Sequence, residues 1–154
     1  MSAKSLAYLK VNLWELINGT IAKVNAECIK REWDGAWFKT YKELGGRSQN
    51  YGKKGCPKNA AFCLFKLGRI KGSNMPLETL SDQDVLDKYG KNGVYAKMAI
   101  EILQAEPSLN LNSLWKKVQD KYRKEIGKKP AQSNQGAATV AFKLFNNRKI
   151  ILSR

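Results

Sequence analysis

The chain has 154 residues, with 28 Lys or Arg against 13 Asp or Glu, no histidine, and a formal net charge of +15. That length suits one domain or two small packed units, and 43% hydrophobic residues with 10% aromatics exclude a disordered polycation. No stretch reaches the roughly 18 apolar residues of a membrane span, and three cysteines give no disulfide framework.

Met1 to Lys4 has no apolar signal core, so a cytoplasmic chain is expected. Leu6, Leu9, Leu13, Leu16, Ile17, Ile21, Val24 and Cys28 keep a three-to-four spacing that predicts one long amphipathic helix, bent near Gly19. Asp34 is expected to cap a second helix carrying Trp37, Tyr41 and Leu44 inward, stopped by Gly45-Gly46. A polar, basic loop from Arg47 to Gly55 follows. It leads into KKGCPKNAAFCLFKLGRIK, residues 53–71. There Pro57 suits a first helical turn, Ala61, Leu64 and Phe65 make an apolar stripe, and Gly68 is a stop before an extended tail, Arg69-Ile70-Lys71. Lys53, Lys54 and Lys58 ring the start of this helix, where free N–H groups and the dipole favour an anion. The plainer reading is a core helix with a solvated basic rim. Cys56 lies between Lys54 and Lys58, a setting that lowers a thiol pKa, but no base stands near it; Cys28 and Cys63 read as core.

Ser73 to Gly93 is the least basic piece and reads as a connector. Ser81 with Asp84 predicts a capped helix stopping at Gly90, and Asp82, Asp84 and Asp87 read as capping acids because a calcium loop's glycine and glutamate are missing. Val94, Tyr95, Met98, Ala99, Ile102 and Leu103 predict a helix ending before Pro107. Asn112 is expected to cap the next, with Leu114, Trp115, Val118 and Tyr122 inward. On its other side Lys117, Lys121, Lys124 and Lys128 line up, with Gly127 a break before the last. From Pro107 to Arg154 the net charge is +9. A Gln132–Gly136 loop, with Ser133 or Asn134 as a cap, precedes a final helix through Ala137, Val140, Ala141, Leu144 and Phe145.

Ala141-Phe142-Lys143-Leu144-Phe145 and the tail to Ile150 repeat Ala61-Phe62-Cys63-Leu64-Phe65 and the tail to Ile70, 80 residues later. Each copy follows a Trp-bearing segment, Trp37-Phe38-Lys39 or Leu114-Trp115-Lys116. The expected fold is mainly α: two pseudo-repeated helical units, 1–72 and 94–154, joined by a connector, 73–93, each unit with a short extended tail. Helices followed by a short strand also fit helix-turn-helix or winged-helix units.

Lys54 to Phe62 (KGCPKNAAF), Asn92 to Met98 (NGVYAKM) and Leu114 to Val118 (LWKKV) together resemble an uncharacterised bacterial family of small proteins. That family carries a KGCP(K/R)-x-AF segment, an NK-x-YA helix and an LWKKV helix; Ser133-Asn134-Gln135 also resembles its approach to the last helix. The resemblance spans residues 36–151, with one extra Ala in the first segment, and implies an architecture but no activity and no catalytic residues.

The excess of positive charge points to a polyanion, and nucleic acid, DNA before RNA, is the expected partner of a protein without enzymatic activity. The expected contacts are Arg47, Lys53, Lys54, Lys58, Lys117, Lys121, Lys124, Lys128, Lys129, Gln132, Asn134, Arg148 and Lys149. No cofactor, metal or membrane is expected. Missing histidine removes the usual general base, and no nucleotide-binding loop is present. Two other readings stand beside this one. A basic accessory or inhibitor protein docking on a nucleic-acid-loaded complex calls for an exposed patch of Trp14, Trp33 or Trp37. A small metal-dependent nuclease calls for three carboxylates converging near a lysine.

Overall fold

The computed structural model describes residues 11–49, 55–133 and 136–152. Leu6 and Leu9 of the expected long helix lie outside these residues; within them the pattern from Leu13 to Cys28 gives a helix, α1 (Leu13–Ile21), that stops before Val24. Asn12 is extended and its Oδ1 accepts from the Glu15 N–H at 2.9 Å, so the helix begins there. It ends as the Lys23 and Val24 N–H groups tighten onto Thr20 and Ile21, and the Asn25 side chain then turns the chain by accepting from the Glu27 N–H. Val24 and Cys28 still reach the core from this turn. Apolar spacing recorded which residues point inward, not whether the backbone between them stays helical.

Helix α2 (Lys30–Glu43) starts four residues before Asp34, which lies inside the helix and does not cap it. The start is held by Glu32, whose Oε1 accepts from the Ile29 N–H at 2.9 Å. Its end follows the expected glycines: Gly45 takes φ +96° while the Gly46 N–H returns to Tyr41 O. α1 crosses α2 closely, since a Cβ on Gly19 would stand 2.5 Å from Thr40 Cγ2. From α2, Trp33 packs between the rings of Phe65 and Phe62, at 5.2 and 5.6 Å between centroids. Its Nε1 donates to Lys58 O at 3.0 Å, tying α2 to α3 (Gly55–Lys66).

Helix α3 is the middle of the molecule. Ala60, Ala61, Cys63 and Leu64 are fully buried, and α3 lies against α4 (Asp82–Ala105) and α6 (Ala137–Asn146). Small residues allow this: Ala96 and Ala99 on α4, Ala137, Ala138 and Ala141 on α6, and Gly93, where a Cβ would come 3.0 Å from Cys63 Sγ. The expected stop at Gly90 is a kink, φ +77°, after which α4 resumes. Helix α5 (Leu111–Ile126) buries Leu114, Trp115, Val118 and Tyr122 as its pattern requires, and Tyr95 of α4 packs against both rings. Asn110, not Asn112, caps it, accepting from the Ser113 N–H at 2.8 Å. The buried side chains form one cluster running from Leu16 to Ile150.

These six helices make a mainly α protein, and the single β-type pairing among the described residues is an antiparallel bridge between Ile70 and Ile150. That bridge joins the two similar segments at their tails. After α3 the Gly68 N–H donates to Phe65 O (3.0 Å) and the Arg69 N–H to Leu64 O (2.9 Å). After α6 the Arg148 N–H donates to Phe145 O (3.0 Å) and the Lys149 N–H to Leu144 O (2.9 Å). Both ends are therefore Schellman caps, with the left-handed residue at Gly68 (φ +73°) and Arg148 (φ +59°). Across the bridge the Lys71 N–H donates to Lys149 O at 2.9 Å and the Ile151 N–H to Arg69 O at 2.7 Å. The likeness seen here is one of two helix ends; the helix-turn-helix and winged-helix analogies find no strand beyond this bridge among the described residues.

The twin caps make opposite mutational expectations. A Cβ on Gly68 would stand 2.1 Å from the Pro76 carbonyl oxygen, on top of the left-handed penalty. Gly68→Ala should cost about 2 kcal/mol or more, lowering Tm by about 4–8 °C. Arg148→Gly relieves the same penalty, so its Tm should stay at or above that of the parent; thermal melts of both variants decide this.

Candidate nucleic-acid interface

Among the described residues, six of the 13 acids form ion pairs within the fold. Lys97, with 14% of its side chain exposed, meets Asp82 and Glu101, both at 2.8 Å, and Glu101 also takes Lys121 at 3.0 Å. Asp82 lies before the kink of α4 and Lys97 and Glu101 after it, so the network clasps the two arms and fastens α5 to them. Burial pushes the Glu101 carboxyl up, but hydrogen bonds and charge from Lys97 and Lys121 outweigh it and hold the group below the ordinary range. Burial likewise disfavours the Lys97 charge, and Asp82 and Glu101 reverse that, raising its pKa. Beside them Arg69 Nη2 donates to Gln104 Oε1 at 2.8 Å. Elsewhere Glu43 pairs with Lys23, Asp34 with Lys30, Glu106 with Lys117 and Asp120 with Arg123.

This pairing divides the expected contact residues. Lys58 is largely covered and lies 3.4 Å from Asp34, so its charge is answered within the fold. Lys117 and Lys121, the first two of the lysine row, lean onto Glu106 (3.2 Å) and Glu101. The left-handed Gly127 ends the helix before Lys128, as expected, so Lys124 alone of the row lies on α5 without an acidic partner among the described residues. Lys128 and Lys129 follow it, exposed. Gln132 is exposed, while its carbonyl accepts from Gln119 Nε2 at 3.3 Å. Arg47 is exposed in the loop after α2, near Tyr41 and Gln49. Lys53, Lys54 and Asn134 lie outside the described residues.

Helix α6 begins at Ala137, directly after Gly136. Gly136, Ala137 and Ala138 are buried, with no side-chain cap, because this end of the helix is packed into the core. The end that faces outward is the other one. Around the bridge, Lys71, Lys143, Arg148 and Lys149 come together, and none of them pairs with an acid among the described residues. Two open clefts flank this group. One, of about 560 Å³, lies between the start of α1 and the end of α6 and includes Asn12, Trp14, Lys143, Asn147 and Lys149. The other, of about 420 Å³, includes Lys71, Asn146, Arg148 and Leu152. Among the described residues no carboxylate lines either. Lys149 sits 4.8 Å over the Trp14 ring. Arg148 and Lys149 are among the expected contact residues; Lys71 and Lys143 are not, and the repeat of the two tails is the signal in the sequence that places them nearby.

Of the tryptophans that the accessory-protein reading calls for, Trp14 is partly buried and lines the cleft beside Lys149. Trp33 and Trp37 are fully buried, and the exposed large apolar residues (Ile29, Leu44, Leu77, Leu152) fall at separate caps and loops. All 13 acids lie in the described part, and Lys97 gathers two of them; no group of three or more metal-ligating side chains occurs among the described residues. Cys28 and Cys63 are buried thiols, and burial pushes both upward in pKa, away from reactive thiolate. No helix among the described residues is long and apolar enough to cross a membrane.

A family model described as a family of unknown function (DUF6979) matches residues 17–151. No curated protein and no solved structure matches the chain.

The α4 clasp has a pH window. Glu101, with its pKa lowered by folding, stabilises above its unfolded value of about 4.3 and loses that contribution as pH falls through the folded value. Lys97, raised by folding, stabilises below about 10.4 and loses its contribution as pH rises through the folded value. Lys97→Met should therefore cost about 2 kcal/mol at pH 7, a Tm drop of about 4–8 °C. Melts at pH 3 should bring variant and parent closer together.

Proposed function

The chain belongs to this family of unknown function, and from its own charge and surface we propose that it is a non-enzymatic nucleic-acid-binding protein, with duplex DNA favoured over RNA. The observation that carries the reading is the distribution of the excess charge. A net +15 is far more than solubility needs, and no acid follows Glu125 in the sequence. Ion pairs draw six acids toward Lys23, Lys30, Lys97, Lys117, Lys121 and Arg123, and Lys124, Lys128, Lys129 and the four cations around the tail bridge are among the described cations left without an acidic partner. Rows of unpaired lysine and arginine beside asparagine amides suit phosphate oxygens, whose counterions they release on binding. A cytoplasmic location fits the same reading.

Fluorescence anisotropy with labelled duplex DNA, single-stranded DNA and RNA across a salt series tests it. Binding to duplex should be tightest, with log K against log salt falling at about −4 or steeper as several phosphates are neutralised together. Absence of binding to all three at low salt would refute the reading.

A further inference from the structure

Resting on that reading, we infer that the tail bridge is the surface that grips the phosphate backbone, with Lys71, Lys143 and Arg148 as its contacts. Three independent observations converge on it. The first is position: hydrogen bonds on both sides of the Ile70–Ile150 pair hold the two tails in register, so cations from segments far apart in sequence share one rigid platform. The second is magnitude. Two helix C-termini meet here and carry together roughly one negative charge, which a single cation would answer. Lys71, Lys143, Arg148 and Lys149 supply four, with no acid among the described residues of the adjoining clefts, so dipole compensation accounts for only part of them.

The third is the conformation of Arg148. Its φ is +59°, in the left-handed region that disfavours side chains, while the equivalent place in the twin cap holds Gly68. Around Gly68 the Pro76 carbonyl leaves no room for a side chain. Arg148 is exposed and its guanidinium makes no ion pair among the described residues; the cap hydrogen bonds hold the backbone left-handed without using the side chain. A guanidinium retained there, beside Asn146 and Asn147, suits a bidentate grip on phosphate from outside. Lys149 is set apart from this role because its ammonium covers the Trp14 ring.

Two neutralised proteins of equal net charge provide the test: Lys71→Gln/Lys143→Gln/Arg148→Gln at the bridge, and Lys124→Gln/Lys128→Gln/Lys129→Gln beyond the end of α5. Both are titrated against a 20-base-pair duplex by anisotropy over a salt series, with Tm checked for each. The bridge variant should bind at least about tenfold more weakly than the α5 variant and reduce the salt slope by about two to three, one phosphate contact per lost cation. Equal weakening of the two, or greater loss in the α5 variant, would overturn the inference while leaving duplex binding intact. Failure of the unmutated protein to bind would overturn both. Should the bridge variant melt early, Arg148→Gly answers the question alone. It is expected to keep its Tm and lose affinity by about threefold or more; unchanged affinity would overturn the inference.

Discussion

Helices α3 and α6 finish side by side, and most of the molecule is arranged so that they can. Both end in Schellman caps, and the residues beyond the caps bond to one another through Lys71, Lys149, Arg69 and Ile151. Two negative dipole ends in close company repel, and the hydrogen bonds of the caps and bridge satisfy the carbonyls that would otherwise face each other. The requirement reaches inward. For the tails to meet, α3 and α6 must approach α4 closely along their length, which is why that region is built of Ala60, Ala61, Gly93, Ala96, Ala137, Ala138 and Ala141. It reaches outward as well, because the Pro76 strand of chain lies directly over Gly68.

Charge follows the same plan. Asp82 and Glu101 form the clasp that holds the kinked α4 together and take Lys97 and Lys121 with them, while Glu106 takes Lys117. Four of the cations left over, Lys71, Lys143, Arg148 and Lys149, sit where two helix C-termini converge, a place that tolerates positive charge well. The dipoles that favour cations at the tails also let several of them crowd there without acidic partners among the described residues.

Much of the architecture was legible in the sequence, and the exceptions share a cause. The α5 stripe, the glycine ends of α2 and α5, the Ser81 cap and the extended tail after Gly68 all appear as their residue types require. The long first helix did not, because Val24 and Cys28 are buried from a turn that Asn25 makes. Asp34 and Asn112 were good caps by chemistry, but Glu32 and Asn110 stood nearer the points where the backbone bends. Capping preference ranks residue types; tertiary contact selects which bend forms.

By itself the sequence determined the helical class, the inward faces, the two similar tails and the size of the positive excess, since these depend on residue type and local spacing. Only the tertiary structure decided which cations remain unpaired and which ends of the repeated helices face outward. Lys58, Lys117 and Lys121 lose their freedom to acids 11 to 24 residues away or on the adjoining helix, and Lys71 gains its neighbours from a segment nearly 80 residues on. Electrostatic energy depends on distance through space, and along a folded chain that distance is set by packing, which no local spacing records.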